Sequence, residues 1–187
     1  IDFSQLDRQL REAFVSSIKT GVGAGKLDPR MLMFDLEKLA ASLDFSCDRF
    51  HDYLSTQTLV DRYFMRHPET EELMETIQTF WMRIAMGTAL SEGQHRDEWA
   101  IKFYEEMASL RYVPSTPTLF HAGTVHPQMS SCYLTTVEDS LDHIFKCIGD
   151  NAQMSKWSGG LGNDWTNLRG TGSLIKGTGV GSQGVIP

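Results

Sequence analysis

The sequence has few cysteines. Its three cysteines, Cys47, Cys132 and Cys147, fit neither a disulfide framework nor the paired spacing of a zinc site. The sequence also lacks an apolar run of about 18 residues or more and a signal-like amino terminus. Neither a membrane span nor secretion is indicated, so the cytoplasm is the expected compartment, and no metal site is expected.

Basic residues are also in the minority. The formal net charge is −7, and residues 151–187 have only one acidic residue, Asp164, beside the basic Lys156, Arg169 and Lys176. A protein that binds long nucleic acid needs a broad basic face, and this composition does not supply one. The locally basic carboxyl end is compatible with a compact phosphate site.

Residues 1–112 have the apolar periodicity of helices. Leu6, Leu10, Phe14 and Ile18 recur at every fourth position. The clearest helix is predicted from about 70 to 90 and another from about 95 to 110, and their Met and aromatic residues are interpreted as core. Asp28 with Pro29 predicts a capped helix start. Residues 20–26 (TGVGAGK) lack the ending of a phosphate loop and are interpreted as a flexible turn.

The pattern changes at residues 114–118 (PSTPT), where two prolines predict an extended path without helix. A strand is predicted at about 130–136, a helix at about 140–157 and a second strand at about 163–169. This order is typical of a βαβ unit with parallel strands. The sequence therefore predicts a helical domain at 1–112 followed by an α/β domain at 113–187.

The residues with chemical potential lie around the first predicted strand. Cys132 has small polar neighbours, whereas Cys47 and Cys147 sit among apolar helical positions and are expected to be packed and inert. Asp139 or Ser140 can cap the following helix, whose predicted buried face consists of Leu141, Ile144, Phe145, Ile148 and Ala152. The start of that helix could bind an anion, or the two residues could merely cap it.

Glycine is concentrated at the carboxyl end: residues 159–162 and 170–184 hold nine of the sixteen glycines. Such a density is typical of nucleotide-binding or mobile loops. Residues 179–184 match G-x-G-x-x-G, but no convincing strand precedes them and no helix follows. The dinucleotide-binding fold is therefore rejected.

Five motifs in order then resemble one family. They are residues 114–118 (PSTPT), 127–134 (PQMSSCYL), 138–142 (EDSLD), 158–162 (SGGLG) and 168–173 (LRGTGS). Together they resemble the large subunit of class I ribonucleoside-diphosphate reductase, from about 113 to 187 and more loosely from about 54. The resemblance implies an all-helical amino-terminal domain followed by the first strands and helix of a ten-stranded parallel α/β barrel. Such an enzyme reduces ribonucleoside diphosphates at the 2′ position to supply deoxyribonucleotides for DNA replication.

The resemblance also implies roles for single residues. Cys132 matches a redox-active thiol that becomes part of a disulfide in each turnover, and Thr116, Ser131 and Gly160 match further substrate contacts. Because Ser131 and Cys132 are adjacent, their side chains would point to opposite faces of a regular strand. Either Ser131 contributes its backbone or the strand begins irregularly there.

A second set of residues matches the site for an allosteric deoxynucleoside triphosphate (dNTP) or ATP: Asp139, Ser140, Leu141, Arg169 and Lys176. Asp139 would accept a hydrogen bond from the deoxyribose hydroxyl, and the two basic residues would bind the triphosphate. In this family the effector lies at a dimer interface, so the helix at 140–157 is a candidate for homodimer contact. No cofactor bound directly to the chain is implied. A metal-bearing small subunit would supply the radical, and external thioredoxin or glutaredoxin would restore the thiols.

The chain is expected to be an amino-terminal fragment of a longer protein and inactive alone. Neither the radical-bearing cysteine nor the second redox cysteine of the family lies in it, and residues 1–50 show no convincing match to the family's ATP-binding regulatory module. Two alternatives remain open. One is an adenosylcobalamin-dependent class II reductase, and the other is a non-catalytic nucleotide-binding module of a split enzyme.

Overall fold

The computed structural model describes residues 3–185. The chain divides into two compact units, Ile1–Met129 and Ser130–Pro187. The division follows residue 129, whereas the sequence pattern predicted a change of domain after residue 112. Each unit is described separately below.

The amino-terminal unit is helical. Its α-helices are α1 (Phe3–Gly23), α2 (Leu36–Ala41), α3 (Tyr53–Arg62), α4 (Ile77–Ala89), α5 (Arg96–Ala108) and α6 (Thr116–His121). Short 3₁₀ helices lie at Pro29–Met33, Phe45–Phe50 and Gly93–His95.

An aspartate caps the amino terminus of four of these helices. The side chains of Asp28, Asp35, Asp44 and Asp52 each accept a hydrogen bond from a backbone N–H in the first turn. These bonds satisfy donors that have no partner within the helix. The start predicted at Asp28 and Pro29 is confirmed, although the helix is a single 3₁₀ segment that ends before Phe34.

Helix α4 is the centre of the core and is buried on nearly every side. Its Gly87 lies against the backbone after α6: a Cβ at this position would be 2.1 Å from the Gly123 nitrogen. A side chain of any size is therefore excluded at Gly87. This close approach joins α4 to the segment that ends α6.

Three predictions for this unit are wrong in detail. Helix α4 begins at Ile77 instead of about 70, because Thr76 caps it and Glu71 has a left-handed φ of 58° that no helix interior allows. Residues 114–118 are not entirely extended: α6 begins at Thr116, and Pro117 sits in its first turn, where a missing N–H costs nothing. Residues 20–23 continue α1, so the turn is confined to the residues after Gly23.

The carboxyl-terminal unit begins with strand β1 (Cys132–Thr136), helix α7 (Leu141–Lys156) and strand β2 (Gly160–Asp164). The two strands pair in parallel, with Cys132 opposite Gly160 and Thr136 opposite Asp164. The parallel βαβ prediction is confirmed. The fold observed is thus a helical unit followed by the opening strands and helix of an α/β sheet.

Strand β2 lies earlier than the predicted 163–169. Asp164 ends it, because its carboxylate accepts a hydrogen bond from the Thr166 N–H at 2.9 Å and so forms a local turn. The hydrogen bond from the Thr166 hydroxyl also lowers the pKa of Asp164. Glycine suggested a loop here, but in the strand it permits close packing: a Cβ at Gly162 would lie 2.8 Å from the Leu134 side chain.

The predicted buried face of α7 is largely exposed. Leu141, Phe145 and Ile148 are 72%, 67% and 49% exposed, whereas Cys147 is only 2% exposed. Apolar periodicity identifies a face that excludes water only when something packs on it. Within this unit, the covered side of α7 is the one that carries Cys147.

Candidate functional site

Cys132 occupies an open position at the start of β1. Its thiol is free and the residue is exposed, whereas Cys147 is buried and burial raises the pKa of Cys47. A thiol must be accessible to exchange with another thiol. Cys132 is therefore the cysteine of the three that is best placed for redox chemistry.

Gly160 and Ser131 frame this thiol. The Gly160 N–H donates to the Ser131 carbonyl at 2.7 Å, and the regular strand β1 begins one residue later, at Cys132. A Cβ at Gly160 would lie 3.8 Å from the Cys132 sulfur and 3.0 Å from the Ser131 oxygen. The absence of a side chain at Gly160 keeps the space beside the thiol open.

Thr116 belongs to the amino-terminal unit, where it is the first residue of α6. Its hydroxyl lies 3.3 Å from the Tyr63 hydroxyl. Of the residues predicted to contact substrate, the structure brings together Ser131, Cys132 and Gly160, and it places Thr116 in a different unit.

The start of α7 is held by reciprocal hydrogen bonds. The Ser140 hydroxyl accepts from the His143 N–H at 3.2 Å, and Nδ1 of His143 accepts from the Glu138 N–H at 3.0 Å. Ser140 is therefore the cap, as one of the two sequence alternatives predicted. Since Ser140 satisfies one of the free donors in the first turn, the loop that carries Asp139 has a defined path.

A cavity of about 370 Å³ opens beside this helix start. Asp139, Ser140 and Leu141 line one part of it, and Trp165, Leu168 and Arg169 line another. Ile175 and Ser182, which flank the tip of a short hairpin, line a further part of the cavity. The hairpin is held by the Ile175 N–H to Val180 carbonyl bond at 2.9 Å. The lining combines apolar walls with one acidic and one basic side chain, as is typical of sites for small polar ligands.

Asp139 and Arg169 form an ion pair at the edge of this cavity. Arg169 Nε donates to Asp139 Oδ2 at 2.8 Å and to Oδ1 at 3.1 Å, and its Nη1 donates to the Leu174 carbonyl at 3.0 Å. The Arg169 side chain is 24% exposed and the Asp139 side chain is 36% exposed. Both charges thus remain partly accessible to a ligand.

Lys176 is the exception among the predicted effector residues. It is exposed in the hairpin and is not among the described residues that line the cavity. The other four predicted effector residues line the cavity: Asp139, Ser140, Leu141 and Arg169. The sequence prediction therefore located most of this cluster.

Other residues of these sites were not predicted. Tyr63 is 53 positions before its partner Thr116 and carries no local motif. Trp165, Leu168 and Ser182 come from segments that the sequence pattern assigned to a strand or a loop. The apolar type of Trp165 and Leu168 beside Arg169 was the only available signal.

Neither a metal centre nor a membrane span was found in the part of the chain that the structure describes. Across residues 3–185, no group of three or more His, Cys, Asp or Glu side chains is arranged to hold a metal ion. In the same range, no helix combines the length and the apolar character needed to cross a bilayer.

Comparison with protein families gives two adjoining matches. Residues 49–127 match the ribonucleotide reductase all-alpha domain, and residues 130–187 match the ribonucleotide reductase barrel domain. The junction between the two matches coincides with the division between the compact units.

Individual relatives agree with these matches. The chain is 52% identical to the ribonucleoside-diphosphate reductase subunit alpha of Chlamydia pneumoniae over 87% of this chain and 15% of the relative. It is 49% identical to the subunit alpha of Chlamydia muridarum over 100% of this chain and 18% of the relative. It is 35% identical to the ribonucleoside-diphosphate reductase large chain 2 of Saccharomyces cerevisiae over 84% of this chain and 18% of the relative. The chain spans less than a fifth of the length of these relatives. On the strength of both domain matches and these identities, the chain belongs to the ribonucleotide reductase large-subunit family.

Proposed function

We propose that the full-length protein reduces ribonucleoside diphosphates to 2′-deoxyribonucleoside diphosphates and that Cys132 supplies one of its two reducing thiols. The observation that carries this proposal is the exposed thiol of Cys132 directly opposite Gly160. Oxidation of two thiols to a disulfide releases two electrons and two protons, which replace the 2′-hydroxyl by hydrogen with loss of water. External thioredoxin or glutaredoxin then reduces the disulfide by thiol exchange.

The other substrate contacts are proposed from the resemblance of the sequence to the family. The Ser131 backbone and the open face of Gly160 flank the thiol and can approach a ribose closely. The hydroxyl of Thr116 serves as a donor to a substrate phosphate oxygen. A small metal-bearing subunit supplies the radical that starts each turnover.

The cavity at the start of α7 is proposed to bind the allosteric dNTP or ATP. Asp139 accepts from the deoxyribose hydroxyl, Ser140 and Leu141 contribute the helix start, and Arg169 binds phosphate. Lys176 reaches the triphosphate from the hairpin. A helix amino terminus beside an arginine favours an anionic group.

The exposed apolar stripe of α7 is proposed as the contact between two large subunits. Leu141, Phe145 and Ile148 recur at helical spacing and are each about half exposed or more. A second copy would bury these side chains by the isologous packing that is common in homodimers. The effector cavity would then lie next to the interface.

Steady-state turnover of the full-length protein tests the redox assignment. With small subunit, ribonucleoside diphosphate and thioredoxin, Cys132→Ser should abolish sustained deoxynucleotide formation. Cys47→Ser is the matched control and should retain turnover, because Cys47 is partly buried in a 3₁₀ helix and its thiol lies 3.6 Å from the Asp44 carboxylate. Unaltered turnover by Cys132→Ser would show that the redox role is wrong.

A further inference from the structure

Tyr63 and Thr116 place two hydroxyl groups side by side. Their oxygens are 3.3 Å apart, within hydrogen-bond distance. The Tyr63 ring stacks on Phe120 of α6, with 4.8 Å between ring centroids and an interplanar angle of 19°. Because Phe120 and Thr116 belong to the same helix, the stacking fixes the tyrosine relative to the threonine.

A buried ion pair holds the two segments that meet there. Glu75 and Arg83 have side chains that are each 2% exposed. The Glu75 carboxylate accepts from the Met65 N–H at 2.7 Å, two residues after Tyr63. Arg83 donates to the Ala122 carbonyl at 2.8 Å and to the Leu119 carbonyl at 3.2 Å, both at the end of α6. One salt bridge therefore fixes the backbone near Tyr63 and the helix that carries Thr116.

A buried ion pair such as Glu75–Arg83 needs hydrogen-bond partners for both of its charged groups. A buried charge without partners would cost several kcal/mol, and here every group named donates to or accepts from another. Buried networks of this kind specify one arrangement of the surrounding segments. The core network thus fixes the backbone segments that carry the two hydroxyls, which themselves lie in an exposed position.

We propose that Tyr63 is a positioning residue for substrate binding: it donates its hydroxyl hydrogen to Thr116, which leaves the Thr116 hydrogen directed at a phosphate oxygen of the substrate. The direction follows from chemistry, because a phenol is a stronger acid than an aliphatic alcohol and is the better donor of the two. A hydroxyl that accepts one hydrogen bond becomes a stronger donor in the next. This inference rests on the proposed role of Thr116 as a substrate contact.

The test is a double-mutant cycle in the full-length enzyme with its small subunit. Tyr63→Phe removes the hydroxyl and keeps the stacking on Phe120. It should raise the KM for ribonucleoside diphosphate by about 2- to 12-fold, the loss of one hydrogen bond, with kcat within about twofold. Thr116→Val should raise the KM at least as much, and the double variant should match Thr116→Val alone. Thr116→Ser keeps the hydroxyl and should restore the KM.

Controls separate this from a structural effect. Tyr53→Phe changes a tyrosine that is 82% exposed at the start of α3 and should leave the KM unchanged. Thermal unfolding of every variant reports whether the fold is retained. Positioning is supported only if Tyr63→Phe raises the KM in the wild-type background and leaves it unchanged in the Thr116→Val background.

The possible results are distinguishable. If Thr116→Val raises the KM but Tyr63→Phe does not, the inference is wrong and the proposed function stands. If the two effects multiply in the double variant, Tyr63 does not act through Thr116. If neither single variant changes the KM, the assignment of Thr116 as a substrate contact fails, and the inference fails with it.

Discussion

Replacement of Asp139 by alanine should have opposite effects on two related ligands of the cavity at the start of α7. The Asp139 carboxylate accepts a hydrogen bond from Arg169 Nε at 2.8 Å. A bound dNTP would replace this pairing, with its deoxyribose hydroxyl on Asp139 and its phosphates on Arg169. Asp139→Ala therefore removes one ligand contact and at the same time frees the other.

The size of each effect follows from the geometry. The side chains of Arg169 and Asp139 are 24% and 36% exposed, respectively. The ion pair is therefore worth about 0.2–1 kcal/mol after screening by solvent. Its loss should strengthen binding of inorganic triphosphate, which has no sugar, by up to about 5-fold. The lost hydrogen bond from the sugar to a carboxylate is worth about 1.5–3 kcal/mol. The gain of up to about 1 kcal/mol at Arg169 offsets part of this loss, so dNTP binding should weaken by about 2- to 100-fold.

Isothermal titration calorimetry of the full-length protein measures both affinities. Asp142→Ala is the matched control, because Asp142 is an exposed carboxylate in the same first turn of α7 and is not among the described residues of the cavity. It should change both dissociation constants equally and slightly. If Asp139→Ala leaves dNTP affinity unchanged, or weakens both ligands to the same extent, the assignment of Asp139 to the sugar is refuted.

Three further predictions concern stability and assembly. Gly87→Ala should destabilise the protein by about 3 kcal/mol or more in urea unfolding, because its Cβ would lie 2.1 Å from the Gly123 nitrogen. Gly149→Ala is the control, because Gly149 lies in a helix and nothing is within 4 Å of the added carbon; it should stabilise the protein by about 0.5–1 kcal/mol. Similar effects of the two substitutions would contradict the close packing described at Gly87. Burial lowers the pKa of His51 below its ordinary value of 6.5, so the unfolded chain takes up a proton first and stability should fall as pH drops below 6.5. His51→Phe should remove that part of the decline, measured as the free energy of unfolding against pH, and an unchanged slope would exclude His51 as its source. Phe145→Asp should shift the full-length large subunit towards monomer in analytical ultracentrifugation, because Phe145 is 67% exposed on the proposed interface, and an unchanged sedimentation profile would exclude this face.

Local signals in the sequence predicted the local structure well. Ser140 caps α7 and Asp28 caps the segment that begins at Pro29, as short polar side chains before apolar periodicity indicate. The order strand, helix, strand was also predicted, because the period of apolar residues changes between those elements.

Errors arose where a local signal in the sequence is compatible with more than one structure. Pro117 suggested an extended segment, yet a first helical turn accepts proline equally well. Glycines 160 and 162 suggested a loop, yet β1 packs so closely that they form a strand. The apolar stripe of α7 suggested a buried face, although periodicity identifies the stripe and cannot say which surface covers it.

The sequence by itself determined the family, the helical and α/β parts, and the residue types that carry the chemistry: a thiol at Cys132, a carboxylate at Asp139 and a guanidinium at Arg169. Only the tertiary structure decided which of these meet. Asp139 and Arg169 are 30 positions apart, and Tyr63 and Thr116 are 53 apart. Such pairs depend on strand register and helix packing, which are set by contacts across the whole fold and leave no periodic trace in the residues between.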